Sequence, residues 1–94
     1  MRFPIKKKDG SILFIDSTRI YYIKADGNDV LVRTLAKRML RSVDRLAAAE
    51  ARLERMGDSF RAHRSFVVNL DHVRALRRRR RSDFAIQLDP PVNQ

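Results

Sequence analysis

The stretch FRAHRSFVVNLDHV, residues Phe60 to Val73, decides how the rest of the chain is read. His63, Arg64 and Ser65 stand immediately before Phe66-Val67-Val68, an apolar, β-branched run that ends in Asn69. Phe66 to Leu70 is too short for a helix and reads as a buried strand or turn, entered through the polar trio. On residue type alone the trio is open to three roles: chemistry, binding, or a plain reversal of the chain.

Working outward, the same strand-and-turn texture recurs on both sides. Phe3 to Lys8 and Ser11 to Ile15 flank Asp9-Gly10, a dipeptide suited to a two-residue hairpin turn. Arg19 to Lys24 and Val30 to Leu35 flank a polar tip of Ala25, Asp26, Gly27, Asn28 and Asp29, which predicts a second hairpin. In its second strand Val30, Val32 and Thr34 alternate with Leu31, Arg33 and Leu35, a pattern that tolerates burial on both faces. Downstream, Val73 to Arg78 and Phe84 to Leu88 form a third hairpin with Arg79 to Asp83 as its turn. Asp89-Pro90-Pro91 stops that strand.

One segment changes period. From Ser42 to Arg55, with Met56 just beyond, Val43, Leu46, Ala47, Ala49, Leu53 and Met56 recur at three- and four-residue spacing among strong helix formers. Ser42 or Asp44 is placed to cap this helix, and Gly57 stands where a left-handed terminating residue is expected. The opposite face carries Arg41, Arg45, Arg52 and Glu54, a mixed face open to solvent or to DNA. The expected fold is mainly β, built of short hairpins with one small α-helix.

A chain of 94 residues with 44% apolar content supports one packed domain. Its 21 basic residues against 11 acidic ones leave a formal charge of +10, and 16 of the bases are arginine. Such a charge draws polyanions: nucleic acid first, because neutralised phosphates release counterions, with anionic membrane or an acidic protein as the alternative partner. No basic amphipathic helix with large apolar anchors supports the membrane alternative. No apolar run spans a bilayer and MRFPIKKKDG lacks a signal-peptide core, which points to a cytoplasmic protein.

Enzyme chemistry finds little support. Adjacent His63 and Ser65 are not a triad, and no nucleophile elbow is present. The absence of cysteine and the separation of His63 from His72 argue against a metal site. Gly10, Gly27 and Gly57 are isolated, so no phosphate-cradling loop or cofactor is implied. A helix-turn-helix needs two helices and a basic zipper needs long heptads, so any DNA reading falls to loops or strands. The run Arg77, Arg78, Arg79, Arg80 and Arg81 fits a hairpin tip reaching phosphate and, equally, a solvated basic edge that discourages aggregation. It also fits a short localisation-like basic signal.

Taken in order and spacing, FRAHRSFVVNLDHV resembles the core signature of the LytTR DNA-binding domain, the output domain of LytR/AlgR-type bacterial response regulators and related sensors. IDSTRIYYIKADGNDVLVRT resembles that family's paired strands and turn, and MLRSVDRLAAAEARLERMGDSF its short helix, so the likeness spans about residues 11 to 88. The resemblance implies an elongated arrangement of short sheets and sequence-specific binding of double-stranded promoter DNA, loops entering the major groove. It places Arg64 at a base-contacting position and the Asp26 to Asp29 turn in a second reading loop, with Asn28 the better base contact and acids such as Asp29 left either to accept from cytosine or to stand off the backbone.

Phosphate contacts are then expected from Lys6, Lys7, Lys8, Arg61 and Arg77 to Arg81, while His63, Ser65 and Asn69 brace the loop and its backbone. The family pattern continues into a further strand, a Ser-Arg-type motif and a terminal helix, whereas this sequence ends at PPVNQ. Residues 1–94 are thus expected to form one domain shortened at its carboxyl end. A receiver or sensory domain would precede it in the full-length protein, and a second copy would join it on tandem sites.

Overall fold

The computed structural model describes the backbone of residues 1–36, 38–80 and 83–88, and the side chains of residues 1–36 and 38–74. Strands β1 (Arg2–Lys6) and β2 (Ile12–Asp16) pair antiparallel from Arg2↔Asp16 to Lys6↔Ile12. Their connection is wider than the two-residue turn expected from Asp9-Gly10. Lys7 N–H donates to Ser11 O at 2.9 Å and Gly10 N–H to Lys7 O at 3.0 Å, leaving Lys8, Asp9 and Gly10 as the tip. Gly10 has φ 89°, so the glycine serves the left-handed position of a three-residue loop. Asp9 accepts from the Ser11 hydroxyl and amide, which holds its carboxyl below the usual range.

The central element is a five-stranded antiparallel sheet in the order β5-β4-β3-β7-β6. Its members are β3 (Ile20–Asp26), β4 (Asp29–Thr34), β5 (Met39–Ser42), β6 (Ser59–His63) and β7 (Phe66–Asn69). The β3–β4 turn is tighter than the expected polar tip, because Asp26 pairs directly with Asp29 and only Gly27 and Asn28 lie between them. Gly27 takes φ 62°, which a two-residue hairpin turn asks of its first central residue. The sequence reading did not resolve β5 or β6. Each is a short strand lacking β-branched residues, so neither advertises itself by propensity.

The helix α1 runs Leu46–Met56, starting later than predicted. Ser42 is not its cap: it ends β5, fully buried, and its hydroxyl accepts from Lys6 N–H at 2.9 Å. Asp44 accepts from Arg45 N–H at 3.1 Å and pairs with Arg52, and Arg45 occupies the capping position without a side-chain cap bond. Gly57 ends the helix at φ 171°, an extended rather than a left-handed conformation. A Cβ there would meet Asp71 Oδ2 at 3.4 Å, an ordinary van der Waals contact.

Cross-strand neighbours Ile23, Val32 and Val67 are fully buried and form the centre of the core with Val30. α1 lies across β3, β4, β6 and β7 and supplies Ala49 and Leu53, while Phe3 and Ile5 of β1 close the same cluster. The opposite faces of β3 and β7 carry Tyr22 and Phe66, whose rings stack at 4.6 Å. Beyond β7, a 3-10 turn (Leu70–His72) leads to the antiparallel pair β8 (Val73–Arg80) and β9 (Asp83–Leu88), with β9 beside β6. The molecule is elongated, 41 × 27 × 24 Å, and mainly β with one α-helix among the described residues, as expected.

Candidate nucleic-acid interface

Strand register gathers candidates that lie far apart in sequence. Lys24 pairs with Phe66 and Asp26 with Asp29, so the β3–β4 turn and the β6–β7 turn share one end of the sheet. Val30 pairs with Ser42 and Leu31 with Arg41, which brings the end of β5 to that same rim. Lys6 N–H bonds Ser42 Oγ, and Val43 N–H donates to Lys6 O at 2.8 Å, so the base of the Lys6, Lys7 and Lys8 loop arrives there too. With strands about 4.8 Å apart, β5 to β7 spans about 14 Å of this rim.

Arg64 and Ser65 form the turn between β6 and β7, closed by the pair His63↔Phe66 and preceded by a register shift between Arg61 and His63. Three attachments hold the turn. Ser65 O accepts from Ala25 N–H at 2.8 Å, tying it to β3. Ser65 N–H donates to His63 Nδ1 at 3.3 Å, and the Ser65 hydroxyl lies 3.0 Å from the same nitrogen. Because an amide N–H can only donate, Nδ1 carries the lone pair and the neutral ring's proton sits on Nε2.

The third attachment runs from the helix. Arg61 donates through Nη1 to Arg64 O at 2.9 Å, and through Nη2 and Nε to the Glu50 carboxylate at 2.5 and 3.2 Å. That hydrogen-bonded pairing holds Glu50 below the ordinary carboxylate range and raises Arg61 further. Arg61, expected at phosphate, is thus engaged by the protein's own groups. The Arg64 side chain is exposed and has no hydrogen bond or ion pair among the described residues. Asn69, expected to brace the loop, is the last residue of β7 at the end away from this turn, 3% exposed, donating to Ser17 O at 3.3 Å and Ile20 O at 3.0 Å while accepting from Asp71 N–H at 3.1 Å.

At the neighbouring turn, Asn28 is exposed at the tip. Asp29 accepts from Arg41 Nη1 at 3.1 Å and Asp26 pairs with Nη2 of the same arginine. Lys7 and Lys8 are exposed and Lys6 is half-buried. The side chains of Arg77, Arg78, Arg79 and Arg80, and all of Arg81, lie outside the described residues. Sequence reasoning missed Glu50 altogether and assigned Arg41 to the helix face. Both act through partners that only the tertiary register supplies. Among the described residues no group of His, Asp and Glu is placed to hold a metal ion, and no helix is long and apolar enough to cross a membrane.

Basic and amide side chains are carried on strand turns along one rim, and a single short helix among the described residues packs on the sheet. The family model of the LytTr DNA-binding domain matches residues 10–93, and the chain belongs to that family. DNA binding is therefore its activity class, and DNA its partner. Among solved structures, the LytTr DNA-binding domain of a putative methyl-accepting/DNA response regulator from Bacillus cereus has the same fold. The two share a TM-score of 0.75 at 23% identity, over 97% of this chain and 81% of that one. No curated protein matches the chain.

Proposed function

We propose that this domain binds double-stranded promoter DNA sequence-specifically, as the output module of a bacterial transcriptional regulator. The β6–β7 and β3–β4 turns enter the major groove, and Arg64 reads a base. The observation that carries the reading is the pairing of an uncommitted, exposed Arg64 side chain with a turn backbone held at three points. A guanidinium presented from a fixed backbone can donate two parallel hydrogen bonds to guanine O6 and N7, the contact that distinguishes this base edge.

Asn28 is the second reader, suited to adenine N6 and N7. Asp29 stands beside it as the acceptor for cytosine N4, sharing its carboxylate with Arg41. Lys6, Lys7, Lys8 and the Arg77 to Arg81 run grip phosphate and set orientation, while Arg61 supports Arg64 instead of reaching DNA directly. In this reading the protein works in the cytoplasm, takes its signal from a receiver or sensory domain, and meets a second copy on tandem sites.

Selection from a random duplex pool, followed by sequencing, tests the reading. Wild-type protein is expected to enrich a short motif, and Arg64→Ala to lose preference at one position of it, at about 1–3 kcal/mol. Recovery of an unbiased pool by the wild type would overturn it.

A further inference from the structure

Asp26 and Asp29 are directly opposed across the β3–β4 turn. Two carboxylates in that relation repel each other, and both would repel an approaching phosphate backbone. Their place at the rim of a DNA-binding domain therefore needs explaining. Arg41, reaching over from β5, forms an ion pair with each of them, Nη1 to Asp29 and Nη2 to Asp26. Its planar fork is shaped for this, since its two terminal nitrogens address two separate acceptors at once, whereas lysine offers a single charge.

We infer that Arg41 is a positioning residue for DNA recognition, clamping the two carboxylates so that the Gly27-Asn28 tip keeps its register and meets DNA without a bare acidic pair. The inference rests on the proposed reading of Asn28 as a base contact. It assigns Arg41 a task different from that of the exposed lysines, because its charge is turned onto the protein's own acids. Asp26, in turn, serves as an anchor for the clamp. The turn is thereby linked to β5, and β5 is fixed to the Lys6 strand through Ser42.

The test compares wild type, Arg41→Ala, Arg41→Lys and the double variant Asp26→Asn/Arg41→Ala on the selected duplex and on random duplex. Amide exchange across the Asp26/Asp29 pair is followed in the free proteins. Arg41→Ala is expected to weaken the selected duplex about fivefold more than random duplex and to speed exchange at the turn. Arg41→Lys should recover only part of the loss. The double variant, with the opposed acidic pair broken and Asp29 intact, should regain part of it.

Equal losses on both duplexes, unrestored in the double variant, would show Arg41 acting as an ordinary phosphate cation and overturn the inference. Unchanged binding and exchange in Arg41→Ala would also overturn it. If the wild type itself shows no preference between duplexes, the base-reading proposal fails. Exchange at the turn then still decides whether Arg41 holds it.

Discussion

Arg61 donates to the backbone carbonyl of Arg64 at 2.9 Å while Glu50 of α1 grips the rest of its guanidinium. One arginine therefore places the other. The arrangement makes the helix a support for the residue proposed to read DNA. Its contribution to fold stability is modest, because the Arg61 and Glu50 side chains remain 35% and 26% exposed and solvent screens them.

The first expectation follows from the fork. Arg61→Lys keeps the charge but cannot bridge a carboxylate and a carbonyl in the same way. Specific DNA affinity should fall about threefold while the unfolding midpoint moves little, the pair being worth about 0.2–1 kcal/mol. Fluorescence anisotropy beside urea unfolding separates the two effects. Wild-type affinity in Arg61→Lys would remove Arg61 from the reading apparatus.

Acid should loosen the same latch, in a direction fixed by its charge. Glu50 lies below its ordinary value of 4.5 in the folded protein, chiefly through the Arg61 hydrogen bond, and loses that partner on unfolding. Between the lowered and the ordinary value the unfolded chain binds more protons, so stability falls as pH falls there. The contribution is complete above the ordinary value and lost as pH drops through the folded one. Asp9 and Asp16 add in the same sense from 3.8, held down by hydrogen bonds from Ser11 and Thr18. Urea midpoints followed downward from about pH 6 should drop through this window, and less in Glu50→Gln. A midpoint that rose on acidification would contradict the assignment.

Asn69 has a structural task. Its amide satisfies the carbonyls of Ser17 and Ile20 and its oxygen receives Asp71 N–H, all near the buried end of β7. Asn69→Ala strands these groups and should lower stability by about 2–3 kcal/mol, seen as a lower urea midpoint at unchanged slope. Asn69→Asp should also destabilise, because a carboxylate cannot donate to either carbonyl.

Gly27 supplies the left-handed residue of its turn at φ 62°, with open space around the missing Cβ. Gly27→Ala is therefore opposed by backbone strain and by no clash, and should cost about 1 kcal/mol. Gly27→Asn should be milder, since asparagine visits that region more readily. The same urea titration ranks them, and an order of alanine above asparagine in stability would contradict the turn assignment.

The first two hairpins were readable in the sequence because Gly10 and Gly27 interrupt apolar runs that carry β-branched residues. The helix was readable from the spacing of Leu46, Ala49 and Leu53. Its first turn was misjudged because Ser42 and Asp44 suit a cap by residue type, and only the pairing Val30↔Ser42 shows that Ser42 belongs to a strand. The order of the central sheet, with β7 inserted beside β3, is a non-local pairing that no local pattern encodes. For the same reason Arg64 stood out in its signature while Glu50 and Arg41 did not. Their significance lies in which loop they hold.

The central claim is that a braced Arg64 side chain reads a base while the surrounding cations grip phosphate. Its most direct measurement is the affinity of Arg64→Ala and of Lys7→Ala for the selected duplex and for random duplex, each over a range of salt. Arg64→Ala is expected to lose about 1–3 kcal/mol on the selected duplex alone. Lys7→Ala should weaken both duplexes alike and lower the salt slope by about one. Equal losses on the two duplexes for Arg64→Ala, with a reduced salt slope, would make Arg64 one more phosphate contact and contradict the account.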